Sequence, residues 1–402
     1  MLNQSGVLLI AISCPISDPM VERMDHMNAA GPCTRWLLAI VWMMCGANCG
    51  LAQHRVFVTS DRLTLGTERL RSASVQIGDI DRDGDLDVVV ANGRHWPQQN
   101  ELVINQGRAK FSIIRRLGED QRTSYACEFA DLDGDGDLDI ASGNDMAKGQ
   151  IFLNDGSGRF RLHGEYGDVS SLRSLLAHDI DQDGDIDLIA TCRGRPNRIY
   201  VNDGEANFNS GPSFGRNTDS TIDVAAGDLN GDGHMDLVLA NRDHQPNEIL
   251  LGDAELQFSR SVPFGIGDEQ SRAVAVADLN FDGHLDWVVA NIGRANQVFF
   301  GDGAGGVAGS AEFGASDSQT YALAIADMNN DEVSDIVVGN LNQPGSVFFR
   351  REHAMIFDKV PFGEASASYG LDVGDLDGDG YVDIVVANSD DMNRIFLNRP
   401  SQ

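Results

Sequence analysis

Aspartate recurs on alternate residues in the stretch Asp131-Leu-Asp-Gly-Asp-Gly-Asp-Leu-Asp139, and glycine fills its sixth position. If the backbone coils tightly, side chains at positions 1, 3, 5 and 9 converge on one point. Glycine permits such a coil because it lacks a Cβ and tolerates φ values that other residues resist. Carboxylates gathered at one point repel one another unless a cation joins them. A hard divalent ion meets that need, and Ca2+ takes about six to eight oxygen ligands in flexible geometry. The stretch reads as a calcium loop.

The same spacing begins at Asp79, Asp131, Asp179, Asp228, Asp278, Asp327 and Asp375, seven copies at intervals of 48 to 52 residues. One acidic turn could be an ordinary solvated surface. Seven in near-constant register mark a repeat architecture, in which one supersecondary unit recurs and stacks on its neighbours.

Each copy reads as strands. In the first, Ala73-Ser-Val-Gln-Ile-Gly78 alternates apolar with polar or small residues, the period of a strand with one buried face. After the loop, Leu86-Asp-Val-Val-Val-Ala91 is β-branched enough to be covered on both faces. Glu101-Leu-Val-Ile104 gives a third strand, and Asn105-Gln-Gly107 turns the chain into a fourth, Lys110-Phe-Ser-Ile-Ile114. No stretch downstream of the leader has a 3.6-residue apolar period, which excludes an EF-hand with its flanking helices. Four antiparallel strands in each of seven copies predict an all-β, seven-bladed propeller over residues 53–398. The last copy supplies three strands, ending at Ile395-Phe-Leu397. Arg55-Val-Phe-Val58 aligns with fourth strands such as Arg159-Phe-Arg-Leu162. The N-terminal strand is therefore expected to complete the seventh blade and close the ring, hiding edges that invite aggregation.

The formal charge is −31, and the seven loops hold 28 aspartates, most of the excess acid. Seven bound Ca2+ would leave about −17. A net negative surface without a basic stripe argues against nucleic acid. Residues 36–44, Trp-Leu-Leu-Ala-Ile-Val-Trp-Met-Met, follow Arg35 and precede small residues up to Ala52. That order predicts a secretory signal peptide, with Gln53 first after cleavage, translation starting at Met24 or Met27, and no stable membrane insertion afterwards. Cys14, Cys33, Cys45 and Cys49 fall in this leader. Cys127 and Cys192 remain, and are expected to be buried free thiols. The exported chain is expected to be a monomer.

The copies resemble the FG-GAP and VCBS repeats, typified by integrin α-subunit propellers. The loop matches their D-x-[DN]-x-D-G-x-x-D pattern. The "FG" element stands as Phe214-Gly215, Phe264-Gly265, Phe313-Gly314 and Phe362-Gly363, with Tyr166-Gly167 close to it. The resemblance implies calcium in up to seven sites. The first would use Asp79, Asp81, Asp83 and Asp87 with the carbonyl of Asp85. The second would use Asp131, Asp133, Asp135 and Asp139 with Asp137. The third would use Asp179, Asp181, Asp183 and Asp187 with Asp185. In the fourth (Asp228, Asn230, Asp232, Asp236, with His234) and fifth (Asp278, Asn280, Asp282, Asp286, with His284), neutral Asn at position 3 implies weaker binding. The seventh would use Asp375, Asp377, Asp379 and Asp383 with Tyr381. The sixth (Asp327, Asn329, Asp331, Asp335) departs from the pattern, because Glu332 replaces its glycine, and its occupancy stays open.

In the integrin-like arrangement the opposite face carries the loops between strands two and three. They hold Arg94, Trp96, Arg193, Arg195, Arg242 and Arg294. Arginine holds carboxylates through two parallel bonds and Trp stacks on sugar rings, so a glycan or protein ligand is expected there. The chain has no G-x-S-x-G elbow, H-E-x-x-H or Walker loop. Two readings follow. One is a secreted, non-catalytic binding or adhesion module. The other is a carbohydrate-active enzyme of the polysaccharide lyase kind, with its site on the same loop face.

Overall fold

The computed structural model describes residues 55–351 and 355–401, and the leader with its apolar core and four cysteines lies outside them. Among the described residues all regular structure is strand. The first blade sets Ser72–Gly78, Asp87–Asn92, Glu101–Asn105 and Phe111–Arg116 side by side in chain order, antiparallel throughout. Its β-branched second strand is buried along its whole length, whereas the fourth is largely exposed. Four more separate blades begin at Ser124, Leu172, Thr221 and Ser271. The sixth and seventh share one sheet through the strand Phe357–Gly374. Its first part pairs with Asp335–Arg350 and its last with Asp383–Asn388.

Each innermost strand packs against the next around the axis, and Phe357–Gly374 returns to Ser72–Gly78 to complete the circle. Closure follows the expected route. Arg55–Val58 pairs with Asn393–Pro400, placing Val58 opposite Leu397. Arg55 is buried there, donates from Nε to Asn398 Oδ1 at 2.7 Å, and lies 3.6 Å over the Tyr381 ring. A second short strand, Thr64–Leu65, also pairs with Asn393–Pro400 and puts Leu65 into the core between the last and first blades.

The FG element joins blades. Its aromatic ring ends a fourth strand and packs on the third strand of the following blade. Tyr166 meets Tyr200 at 5.2 Å, Phe264 meets Phe299 at 4.9 Å, and Phe313 meets Phe348 at 5.0 Å. Aromatic pairs of this kind contribute about 0.5–1.5 kcal/mol beyond the area they bury. The following glycine turns the chain at positive φ, and at Gly167 an added Cβ would stand 2.6 Å from the Tyr200 hydroxyl oxygen. Polar clasps join blades on the same side: Asn100 Nδ2 donates to Ser124 Oγ at 2.9 Å, and Asn393 Nδ2 to Ser72 Oγ at 3.0 Å. Cys127 and Cys192 are buried free thiols, as expected.

Candidate metal centres

Each acidic loop leaves an innermost strand and enters the second strand at its ninth residue, so all seven gather on one face of the disc. Side-chain oxygens hold the coil together. In the second loop, Asp131 accepts from the amides of Gly134 at 2.9 Å and Gly136 at 3.0 Å. The position-5 carboxylate accepts the position-7 amide in every loop, as from Asp137 to Asp135 at 2.9 Å. Position 4 is left-handed as well as position 6. Glycine holds position 4 in three loops, whereas Arg82, Gln182, Phe281 and Asn330 adopt φ between 58° and 63° there. Only the sixth position was legible as a turn. The sixth loop keeps the same course despite its substitution: Glu332 has φ 66° and its amide still reaches Asp327 at 2.8 Å.

Position 9 ties the loop to its blade. Asp139 is fully buried; its Oδ2 accepts from Leu132 N at 3.0 Å and its Oδ1 from Asn154 N, at the end of the third strand, at 2.8 Å. Burial pushes the carboxyls of Asp87, Asp139, Asp187 and Asp383 up to about 7, and these amides offset it only in part. Asn154 then reaches the preceding blade, donating from Nδ2 to Ile80 O at 2.8 Å. Asn105, Asn202 and Asn398 make the same bond to Leu376, Leu132 and Met328, and Arg350 stands in for them against Leu279. Sequence reading took Asn105 for a turn residue only. Three of the asparagines, Asn154, Asn202 and Asn398, recur 15 residues after position 9, and that recurrence was the available signal.

In loops one, two, three and seven, ligand oxygens of positions 1, 3 and 9 lie within 4.8 Å of one another. The triads are Asp79, Asp81, Asp87; Asp131, Asp133, Asp139; Asp179, Asp181, Asp187; and Asp375, Asp377, Asp383. Oδ1 of Asp79, Asp81 and Asp179 is buried and takes no hydrogen bond. Buried carboxylate oxygens without donors are costly, and a cation is the group that satisfies several together, so these residues fit a metal ion. Asp83, Asp135, Asp183 and Asp379 at position 5, and Asp85, Asp137 and Asp185 at position 7, stand outside the triads. His234 is half-buried, and His284 and Tyr381 likewise occupy position 7. Loops four to six differ. Asn230 Nδ2 donates to Asp232 at 2.9 Å, Asn280 to Asp282 at 2.9 Å, and Asn329 to Asp331 at 3.0 Å. In the seventh loop Arg399 of the closing strand pairs with Asp377 and Asp379.

On the opposite face the arginines separate into two groups. Arg193 forks onto Asp243 at 2.9 and 2.7 Å, and Arg294 lies 3.8 Å from Glu269. Arg195 is exposed at the rim. Arg94 instead stacks 3.8 Å over the Tyr369 ring beside the axis, and Arg242 leaves its Nε without a partner. Trp96 is 63 % exposed.

The ring of four-stranded blades with metal-competent loops on one face defines a repeat β-propeller. Four stretches, residues 79–142, 179–239, 228–289 and 278–338, match the FG-GAP-like repeat and together span more than half the chain. The chain belongs to the FG-GAP repeat family. No curated protein sequence matches it. Among solved structures it is similar to BBS1N in complex with ARL6DN, at 10% identity and a TM-score of 0.55, covering 85% of this chain and 96% of that one. A second crystal of that complex gives 11%, 0.56, 86% and 99%. An Agrocybe aegerita lectin that recognises non-reducing terminal N-acetylglucosamine gives 19% identity and a TM-score of 0.49, over 82% of this chain and 88% of the lectin. Among the described residues no helix is long and apolar enough to cross a membrane.

Proposed function

We propose that the chain is an exported binding module in which Ca2+ stiffens one face of the disc and the opposite face takes a glycan or protein ligand. The observation that carries this reading is the set of four aspartate triads on one face, three of which hold buried, donorless oxygens. Positions 1, 3, 5 and 9 of each loop, with the position-7 carbonyl, would hold the ion. Its contribution when bound is positive charge among crowded carboxylates. Loops four and five, with Asn230 and Asn280, would hold it more weakly, and the sixth would be the weakest.

The chain itself does the rest. Position 9 locks the loop to the third strand, and the asparagine clasps pass that rigidity to the neighbouring blade. Rigid blades in turn fix the loops of the far face, where a ligand would meet Arg94, Trp96 and Arg242. BBS1N, of the same fold, is solved with a protein bound, an instance of a propeller serving as a binding disc. Export rests on the leader pattern at residues 36–52.

The test has three arms. Elemental analysis of purified protein should find calcium, and titration into stripped protein should show strong and weak classes of site. Calcium-loaded protein screened against arrayed glycans and candidate proteins should retain at least one ligand. Unsaturated products released from acidic polysaccharides would overturn the non-catalytic reading. The secreted form should begin at Gln53, and recovery of the intact leader in membranes would overturn cleavage.

A further inference from the structure

At the axis, on the face away from the acidic loops, a cavity of about 190 Å3 opens between the innermost strands. Residues six places before six of the seven loops line it, and five of them are Tyr125, Arg173, Arg272, Tyr321 and Tyr369. In a chain of net charge −31, this is a conspicuous gathering of cations. Arg94 lies 3.8 Å over Tyr369, Arg173 4.5 Å over Tyr125, and Arg272 5.5 Å over Tyr321. Stacking of this kind fixes the guanidinium plane; Arg94 already donates from Nη1 to His95 and from Nη2 to Ser389 Oγ, and its Nε has no partner.

The carboxylates nearby are already engaged. Asp145 pairs with Arg173 at 3.1 Å. Asp223 accepts from Ser174 Oγ at 2.7 Å and Val274 N at 3.0 Å, joining three blades. Asp372 accepts from Ile77 N at 2.8 Å, and Glu128 from Gln76 Nε2 at 2.9 Å. Burial, with Asp372 and Asp223 close by, raises the Glu128 carboxyl well above its ordinary range. Among the described residues, no acid lies within ion-pair distance of Arg272, Arg242 or Arg94. Burial lowers the Arg272 guanidinium, Asp223 opposes that shift, and Arg242 adds to it. Asp223 is the charge that acts on Arg272, but its oxygens are held by Ser174 and Val274 and it forms no ion pair with the guanidinium, which leaves the arginines room for a further anion.

We infer that the axial mouth is an oxyanion site that takes a carboxylate or sulfate group of an acidic saccharide, bound by Arg272 and Arg242 with Arg94 at its edge. The inference rests on the reading of the disc as a binding module and names the ligand class. The cavity is smaller than the roughly 300–1,000 Å3 clefts that enclose whole small ligands, so it admits one charged group inserted along the axis. It has no length to seat a strand or helix, the usual means of holding a peptide. Beside it, His95 bonds the Tyr125 hydroxyl at 3.0 Å, and the next residue, Trp96, offers an exposed ring on which a sugar can stack.

The test titrates the full calcium-loaded chain, at fixed free Ca2+, with a glucuronate-terminated disaccharide, its neutral methyl ester, a sulfated disaccharide and an aspartate-rich peptide. The uronate or the sulfated sugar should bind at least about tenfold more tightly than the ester, and which of them leads identifies the oxyanion. Arg272→Met should lose about tenfold or more. Arg242→Gln, at the rim, should lose several-fold without risk to the interior, and Arg351→Met, just past the end of the strand Asp335–Arg350 and paired with Asp358, should change nothing. Equal binding of acid and ester, full affinity in both axial variants, or preference for the peptide would each overturn the site. A neutral glycan or protein bound equally by wild type and both variants would sink the axial site and leave the binding module standing. A folded chain that binds nothing in any screen would sink both.

Discussion

Loops one, two, three and seven carry aspartate at position 3, whereas loops four, five and six carry asparagine there. Where that residue is aspartate, ligand oxygens of three carboxylates lie within 4.8 Å of one another; Oδ1 of Asp79, Asp81, Asp179 and Asp377 takes no hydrogen bond, and among the asparagine loops Oδ1 of Asp278 shares that state. Where it is asparagine, its amide donates to the position-5 carboxylate, as Asn230 does to Asp232 at 2.9 Å. A cation would relieve the first kind of loop most, although in the seventh Arg399 already meets Asp377 and Asp379, and the second kind carries part of its own compensation. The lesson is that carboxylate number alone misjudges a metal loop: the donor inside the loop competes with the ion for the same oxygens.

Removing the ion should break the comparison open and give the largest effect. Two charges 4 Å apart repel by roughly 4 kcal/mol at an effective dielectric of about 20, and each aspartate loop holds several such pairs. Chelation should lower the melting temperature by on the order of 10 °C. Amide exchange should quicken first around Asp79–Asp87, Asp131–Asp139 and Asp179–Asp187, and Mg2+ should restore protection poorly. A melting curve unmoved by chelator, with calcium absent by elemental analysis, would sink the structural role of the ion. Loss of protection spread evenly over all seven loops would sink the division between them.

Asn154→Ala tests what carries the loop's rigidity to its neighbour. It removes donors to Ile80 O at 2.8 Å and Leu138 O at 3.1 Å, leaving buried carbonyls unpaired at a cost of about 1–3 kcal/mol. The loss in urea unfolding should be similar with and without chelator, since the clasp is made by protein atoms. A loss that vanishes in chelator would mean that the clasp acts only through the ion.

Asp133→Asn should convert the second loop to the other kind. In chelator it should raise stability by about 1 kcal/mol, through one charge fewer and one hydrogen bond more. In saturating Ca2+ it should instead weaken the tightest class of sites. A variant less stable than the parent under both conditions would show that asparagine at position 3 does not compensate the loop.

Much of this was legible in the sequence, for identifiable reasons. The period of 48 to 52 residues and the strand-period runs determine the blades, and the fourth-strand likeness of Arg55–Val58 located the closure. What stayed hidden depends on contacts between repeats. Thr64–Leu65 is too short to read as a strand, and its role comes from meeting Arg394 and Asn393 across the closure. Arg399 carries no signal of its pairing with Asp377 and Asp379, because only ring closure brings the chain ends together. On the far face, loop arginines were picked out by type alone. The structure pairs Arg193 with Asp243 and brings forward Arg272, a strand residue whose alternation places it on the axis.

The smallest expected effect concerns the one loop that breaks the glycine pattern. Glu332 holds φ 66°, a left-handed conformation that costs a residue with a Cβ about 1–2 kcal/mol, and it adds a carboxylate to a loop that already holds Asp327, Asp331 and Asp335. Glu332→Gly removes both penalties, but glycine has more freedom to lose on folding, which returns about 0.4–1 kcal/mol. The net gain should be about 0.5 kcal/mol, read as a higher urea midpoint at unchanged slope. Because Asn329 already donates to Asp331 at 3.0 Å, the gain should appear in chelator as well as in Ca2+. A gain confined to Ca2+ would mean that Glu332 acts by weakening ion binding. It would move the sixth loop from the self-compensated group to the ion-dependent one.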